Sequence, residues 1–131
     1  MSAKVKNQEF NALWEAAYKA GLEAGNATVP VPMVVSQHAN PLNDGSPVVK
    51  QWYVPSGVCG FAWVKVNPGN SPFANWLKKN GKGRTDSYAG GVSVWIKEFG
   101  QSMEQKEAMA YAMAKVFNEA GVKAYGQSRM D

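Results

Sequence analysis

The sequence predicts a single α+β domain, with a mostly antiparallel sheet and helices packed on one face. Helical and strand-like periodicities are interspersed along the chain, and the segments between them are rich in glycine, proline and asparagine. With 131 residues, 45% apolar and 18% charged, the chain is large and apolar enough to bury one core without disulfides or metals. We therefore expect residues 1–131 to form one domain.

The first predicted elements are a helix and a short strand. Apolar residues at helical spacing predict an amphipathic helix over residues 7–24, which the Gly-Asn pair at 25–26 would stop. Residues 33–35 follow two prolines and indicate a short strand near a sheet edge. Residues 36–47 have turn-forming side chains throughout and predict a long surface loop.

A β-hairpin is predicted next. Residues 48–54 and 58–66 are rich in β-branched and aromatic side chains, and they flank a Pro-Ser-Gly sequence at 55–57 that suits a tight turn. One face of the second strand would hold small or β-branched residues, which leave room for a helix to pack closely. Those residues are Val58, Gly60, Ala62, Val64 and Val66.

The second half of the chain predicts two more helices and two strands. Residues 72–80 follow a serine, begin with proline and precede a glycine, which is typical of a short capped helix. Alternation over residues 92–97 indicates a half-buried strand, and Ser102 opens a capping box before a third amphipathic helix. Residues 122–125 would add a short final strand, and 126–131 would form a polar tail.

The positive charge is concentrated in one glycine-containing segment, the basic loop (residues 78–86). The net charge is +4 and the isoelectric point about 9.2, and four basic residues against one acid give this loop a sum of +3. Glycines among cations let backbone amides approach an anion closely, which predicts phosphate binding. An equal alternative is a solvated loop whose lysines complement a helix dipole. The basic residues are Lys78, Lys79, Lys82 and Arg84.

The chain contains no recognisable catalytic or metal-binding motif. His38 is the single histidine and Cys59 the single cysteine, so no Cys/His metal cluster and no disulfide within the chain is possible. No strand is followed by a Gly-x-x-x-x-Gly-Lys-Ser/Thr phosphate loop, so nucleotide hydrolysis is not indicated. We expect a protein that is not an enzyme and that uses no cofactor or metal.

The sequence also indicates in which compartment the protein acts and whether it enters a membrane. The N-terminus lacks an apolar signal segment, and no stretch approaches the roughly 20 apolar residues of a membrane span. The single cysteine fits a reducing compartment. Secretion and membrane insertion are therefore disfavoured.

Aromatic residues on the strands predict a second possible binding surface. If helices cover one face of the sheet, Phe61, Trp63 and Trp95 would line the other. Such a face could stack bases, as single-strand binders do, or it could be buried in a homo-oligomer, the alternative that we favour. The amides before residue 72 are a further anion candidate, which capping by Ser71 also explains.

Four short motifs are distinctive. They are Gly57-Val58-Cys59-Gly60-Phe61-Ala62-Trp63-Val64, Phe73-Ala74-x-Trp76-Leu77-Lys78-Lys79-Asn80-Gly81, Gly91-Val92-x-x-Trp95 and Ser128-Arg129-x-Asp131. With them, residues 10–131 resemble small uncharacterised proteins of tailed phages. The resemblance implies a small phage accessory protein that acts in the cytoplasm of the host bacterium, and it assigns no residue a role.

The leading hypothesis is a phage accessory protein, forming a homo-oligomer, that binds an anionic nucleotide-type ligand and could sequester a host defence signal. The cations of the basic loop would neutralise phosphate, and Trp63 or Tyr88 would stack on a base. Arg129 could clamp a phosphate through its guanidinium. The alternatives are a nucleic-acid-binding protein that uses the same cations, and an inhibitor that docks on a host protein.

Overall fold

The computed structural model describes residues 3–30, 33–38, 48–54 and 57–130. Within them the helices are α1 (Ala3–Ala27), α2 (Pro72–Lys79) and α3 (Met103–Glu119). The strands are β1 (Met33–His38), β2 (Val48–Val54), β3 (Gly60–Val66), β4 (Arg84–Thr85), β5 (Val92–Trp95) and β6 (Ala124–Met130). The predicted α+β class is confirmed.

The main sheet has four strands in the order β4-β5-β3-β6, and every neighbouring pair is antiparallel. On one face of the sheet, Ala62, Val64 and Val92 are fully buried beneath the helices. On that face α3 packs against β3 and β6, and α1 packs against α3. The prediction of an antiparallel sheet with helices on one face is therefore confirmed.

The ends of α2 and α3 follow local capping chemistry. The Ser71 side chain accepts a hydrogen bond from the Ala74 N–H at 3.4 Å, and Pro72 occupies the first turn of α2. The Ser102 side chain accepts from the Gln105 N–H at 3.3 Å, at the start of α3. Both N-caps satisfy amides that have no partner within the helix, so both helices begin where the sequence predicts.

Helix α1 is longer than predicted, because tertiary contacts override the Gly-Asn stop. Gly25 lies within the helix, where its carbonyl accepts a hydrogen bond from Gln105 Nε2 at 3.1 Å. A Cβ at this position would overlap the edge of the Phe99 ring, so a larger residue here would require that side chain to shift. The helix ends at Ala27, three residues beyond the expected end.

The predicted hairpin between residues 48–54 and 58–66 is wrong. β2 pairs antiparallel with β1, whereas β3 pairs with β5 on one side and with β6 on the other. Both edges of β3 are therefore occupied, and long-range pairing inside a buried sheet prevails over a local turn. β1 also extends to His38, into the predicted loop 36–47, of which residues 39–47 lie outside the described part of the chain.

The predicted polar tail is also a strand. β6 pairs with β3 along its whole length, from Ala124 opposite Val66 to Met130 opposite Gly60. The segment lacks the apolar alternation of an inner strand because it is an edge strand whose outer side chains face solvent. Arg129, which the sequence places in a tail, is therefore held in the main sheet.

Candidate functional site

The face of the main sheet opposite the helices, which we call the open face, carries aromatic and basic side chains. Directly opposed residues of antiparallel strands point to the same side, and the register aligns Trp63 with Trp95 and Phe61 with Arg129. The side chains of this face are Phe61, Trp63, Lys65, Arg84, Ser93, Trp95, Tyr125, Gln127 and Arg129.

Three aromatic rings form a cluster at the centre of the open face. The Trp63 and Trp95 ring centroids are 4.7 Å apart, and Phe61 meets Trp95 edge-on at 6.2 Å. The Trp63 indole N–H donates a hydrogen bond to Gln127 Oε1 at 2.7 Å, which fixes its orientation. Trp95 remains 40% exposed, so a large ring is presented to solvent on a rigid support.

Cations surround this cluster. The Arg129 guanidinium lies 5.6 Å from the Phe61 ring centroid, and Lys106, which α3 contributes, lies 5.7 Å from it. Both distances are within the range of cation–π attraction. Arg84 extends from β4 at the opposite edge of the sheet and is exposed.

A groove of about 300 Å³, the Trp95 groove, opens beside this exposed ring. Its side-chain lining comprises Lys82, Arg84, Ser93, Trp95 and Lys97. A neighbouring cavity of about 340 Å³ shares Trp95 with the groove and extends to α1. The site thus combines three cations with one aromatic surface in a volume at the lower end of ligand pockets.

Helix α1 forms part of the wall of the neighbouring cavity, through Trp14 and Tyr18. The Lys82 ammonium lies 5.3 Å from the Trp14 ring centroid. The Tyr18 hydroxyl donates a hydrogen bond to the Glu98 carboxylate at 2.7 Å, and this bond to a charged acceptor raises the pKa of Tyr18. These contacts tie the basic loop and the end of β5 to the first helix.

The structure divides the basic loop between two surroundings. Lys78 and Lys79 lie in the last turn of α2, where cations complement the negative end of the helix. Lys82 and Arg84 follow the turn and line the Trp95 groove. The basic loop is therefore divided between a helix end and the wall of a groove.

Tyr88 lies on a separate turn that packs over the open face. It is fully exposed, and its amide donates to Asp86 Oδ1 at 3.0 Å. The ammonium of Lys65, whose side chain is 3% exposed, bonds Asp86 Oδ2 at 2.5 Å and the Gly90 carbonyl at 2.8 Å. Hydrogen bonds from the Ala89 amide and from Lys65 lower the pKa of Asp86 to about 2.

The turn also explains the glycine at position 91. Gly91 has a φ of 74°, and an added Cβ would lie 2.8 Å from Lys65 Cδ. Gly91 therefore allows the turn to close over a buried lysine.

The sequence predicts Trp95 on the aromatic face but assigns base stacking to Trp63 or Tyr88, and it does not single out Lys97; Trp95 and Lys97 line the groove. The alternation over residues 92–97 contained the signal, since it places both side chains opposite the buried valines. Trp63 is the half-buried support of Trp95. Arg129 and Phe61 lie at the other edge of the cluster and do not line the groove.

The remaining chemical candidates have structural surroundings. Cys59 has a half-buried free thiol, and its backbone forms an isolated antiparallel β-bridge with Ser102. Ser71 caps α2. Among the described residues, no group of three or more His, Cys, Asp or Glu side chains could hold a metal ion. His38 ends β1.

What the fold and site define is an α+β protein whose sheet presents aromatic rings flanked by cations. Comparison with known proteins found no matching family model, no matching curated protein and no matching solved structure. None of the helices in the described ranges is long and apolar enough to cross a membrane.

Proposed function

We propose that this chain is a non-enzymatic binding protein for an anionic nucleotide-type ligand, and that the Trp95 groove is its site. One observation supports this most directly. The exposed Trp95 ring and the cations of Lys82, Arg84 and Lys97 line a single groove. A nucleotide needs both kinds of surface, an aromatic plane for the base and positive charge for the phosphate.

Trp95 is suited to bind a base because its position is fixed before the ligand arrives. Trp63 packs against it, and Gln127 holds Trp63 by a hydrogen bond. Stacking of one base on an aromatic ring contributes about 1–3 kcal/mol, and a preorganised ring loses little conformational entropy on binding.

The cations of the groove outnumber the acids near them. Asp86, the acid of the basic loop, is paired with Lys65, and Glu98 lines the neighbouring cavity and not the Trp95 groove. Arg84 can offer two parallel N–H donors to one phosphate, whereas Lys82 and Lys97 act as point charges. Lys78 and Lys79 would contribute at longer range through their positive charge, and the fully exposed Tyr88 does not line the groove.

The resemblance to tailed-phage proteins supplies a biological setting for this proposal. A stoichiometric binding protein in the host cytoplasm would act by sequestering a signalling nucleotide. Its effect then depends on the amount of protein and on its affinity, so no turnover is required. Self-association remains a prediction, and it would have to leave the Trp95 groove accessible.

Isothermal titration with nucleotides of the four bases tests the proposal. Arg84→Glu should weaken binding about tenfold or more, because it replaces a charge-assisted hydrogen bond by repulsion. The matched control is Lys115→Glu, a charge reversal at an exposed position of α3 that does not line the Trp95 groove. Equal affinity in wild type and Arg84→Glu would remove the groove from the site. Absence of binding to every nucleotide would refute the proposal and favour a protein partner.

A further inference from the structure

Charge and aromatic surface are distributed across the open face in a regular order. The two edge strands, β4 and β6, contribute Arg84 and Arg129, and the two inner strands contribute the rings of Trp95, Trp63 and Phe61. A cation therefore lies on each side of the aromatic cluster. The groove on the β4 side accounts for one of these cations and leaves Arg129 outside it.

Two distances between side chains set an upper limit on how far Arg129 lies from Trp95. The Arg129 guanidinium is 5.6 Å from the Phe61 ring, which is 6.2 Å from the Trp95 ring, so the charge lies within about 12 Å of Trp95. Neighbouring strands are about 4.8 Å apart, which places β4 and β6 about 14 Å from each other. The register places Arg84 level with Tyr125, and Arg129 lies four residues, about 13 Å, further along β6. The backbones of the two arginines are therefore about 19 Å apart, diagonally across the aromatic cluster.

We propose that the ligand contains two or more nucleotide units joined by phosphodiesters and crosses the strands from β4 to β6. This inference rests on the function proposed above. A single nucleotide carries its phosphates on one side of its base, so it can fill the Trp95 groove but cannot also reach Arg129. A second unit places another phosphate at the β6 edge and another base beside Trp63 and Phe61.

The electrostatics of the β6 edge support this arrangement. Two cations, Arg129 and Lys106, approach the same Phe61 ring, and Lys106 is only 7% exposed. Both cations lie within 6 Å of one ring centroid, so this end of the open face carries a local positive charge that would attract a phosphate. The shared ligand chemistry is a nucleotide chain, which could be a linear single strand or a cyclic oligonucleotide.

The experiment is an affinity series with nucleoside monophosphates, linear oligonucleotides of increasing length and cyclic dinucleotides. Affinity should rise about tenfold or more from one unit to two. Arg129→Gln should weaken the longer ligands about tenfold and lower the salt slope by about one, while leaving monophosphate binding unchanged. Arg84→Glu should weaken both classes. Lys115→Gln is the control, and Arg129→Lys, which keeps the cation, should restore much of the loss.

The outcomes separate the two proposals. Monophosphates that bind as tightly as longer ligands, with no effect of Arg129→Gln on either, would overturn the two-unit ligand and leave the groove proposal intact. Failure of every ligand to bind would overturn both. Length-dependent binding that is strong only for linear chains identifies a single strand, and strong binding of the cyclic ligands identifies a signalling nucleotide; either result supports the inference. Melting temperatures of all variants show whether a loss of affinity reflects unfolding.

Discussion

The close approach of β6 to β3 at Gly60 makes a sharp test of the sheet that supports Arg129. In Gly60→Ala the new Cβ would lie 2.5 Å from the Arg129 carbonyl oxygen and 2.6 Å from Met103 Sδ. The methionine can rotate away, but the carbonyl belongs to the backbone of the neighbouring strand. Relief of the clash therefore requires β6 or the start of α3 to move.

Two opposing terms set the size of the effect. Overpacking that shifts backbone costs about 1–3 kcal/mol, and the smaller conformational freedom of alanine in the unfolded chain returns about 0.4–1 kcal/mol. The net loss should be about 1–2 kcal/mol. For a domain of 131 residues, each kcal/mol lowers the melting temperature by about 3–5 °C, so a decrease of about 3–10 °C is expected.

Differential scanning calorimetry measures this decrease, with Gly69→Ala as the matched control. The Cβ at position 69 would approach the Gly91 backbone no closer than 3.3 Å, which requires a shift of only a few tenths of an ångström, so its melting temperature should fall clearly less than that of Gly60→Ala. Because Arg129 would move with its own carbonyl, Gly60→Ala should also weaken the binding of ligands with two units. A Gly60→Ala protein that melts with the wild type would refute the described contact between β3 and β6.

Further predictions concern the buried ion pair, the core and a helix cap. Asp86→Asn should melt below Lys65→Met in calorimetry, because the first leaves a buried ammonium without its carboxylate and the second removes the charge. The pKa of Asp86 is lowered from 3.8 to about 2 in the folded protein, so its carboxylate stabilises the fold fully above pH 3.8 and progressively less as the pH falls towards 2. In urea titrations, the free energies of unfolding of wild type and Asp86→Asn should therefore converge as the pH falls to 2. Leu77→Ala, at a fully buried site, should lose about 2–5 kcal/mol in urea unfolding. Ser102→Ala should lose about 1 kcal/mol in the same assay, through its N-cap.

The parts of the fold that local chemistry determines could be predicted from the sequence. Ser71 and Ser102 are N-caps because a side chain, a turn and a few amides suffice to define them. The alternation around Trp95 likewise predicts which side chains face away from the helices. Strand pairing is different, since it depends on which distant segment occupies each edge of β3. The predicted hairpin failed for this reason.

The candidate site shows the same division. Residues of the basic loop could be identified from their charge, but their separation into a helix end and a groove wall depends on the turn at Gly81, whose φ is 70°. The pairing of Lys65 with Asp86 joins residues 21 positions apart, and no local pattern predicts it. Arg129 became part of the site only when its segment proved to be a strand that pairs with β3.

The four-stranded order of the main sheet has a consequence for the shape of whatever crosses it. Sheets twist with a fixed hand, by about 20–25° from one strand to the next, so β4 and β6 differ in direction by about 60–75°. A chain that touches Arg84, Trp95 and Arg129 in turn must therefore follow a saddle and cannot lie flat. A duplex, whose stiffness persists over about 150 base pairs, resists such a path within a few nucleotides. If a nucleotide chain binds across the sheet as proposed, the curvature of the sheet would favour a flexible single strand over a stiff duplex.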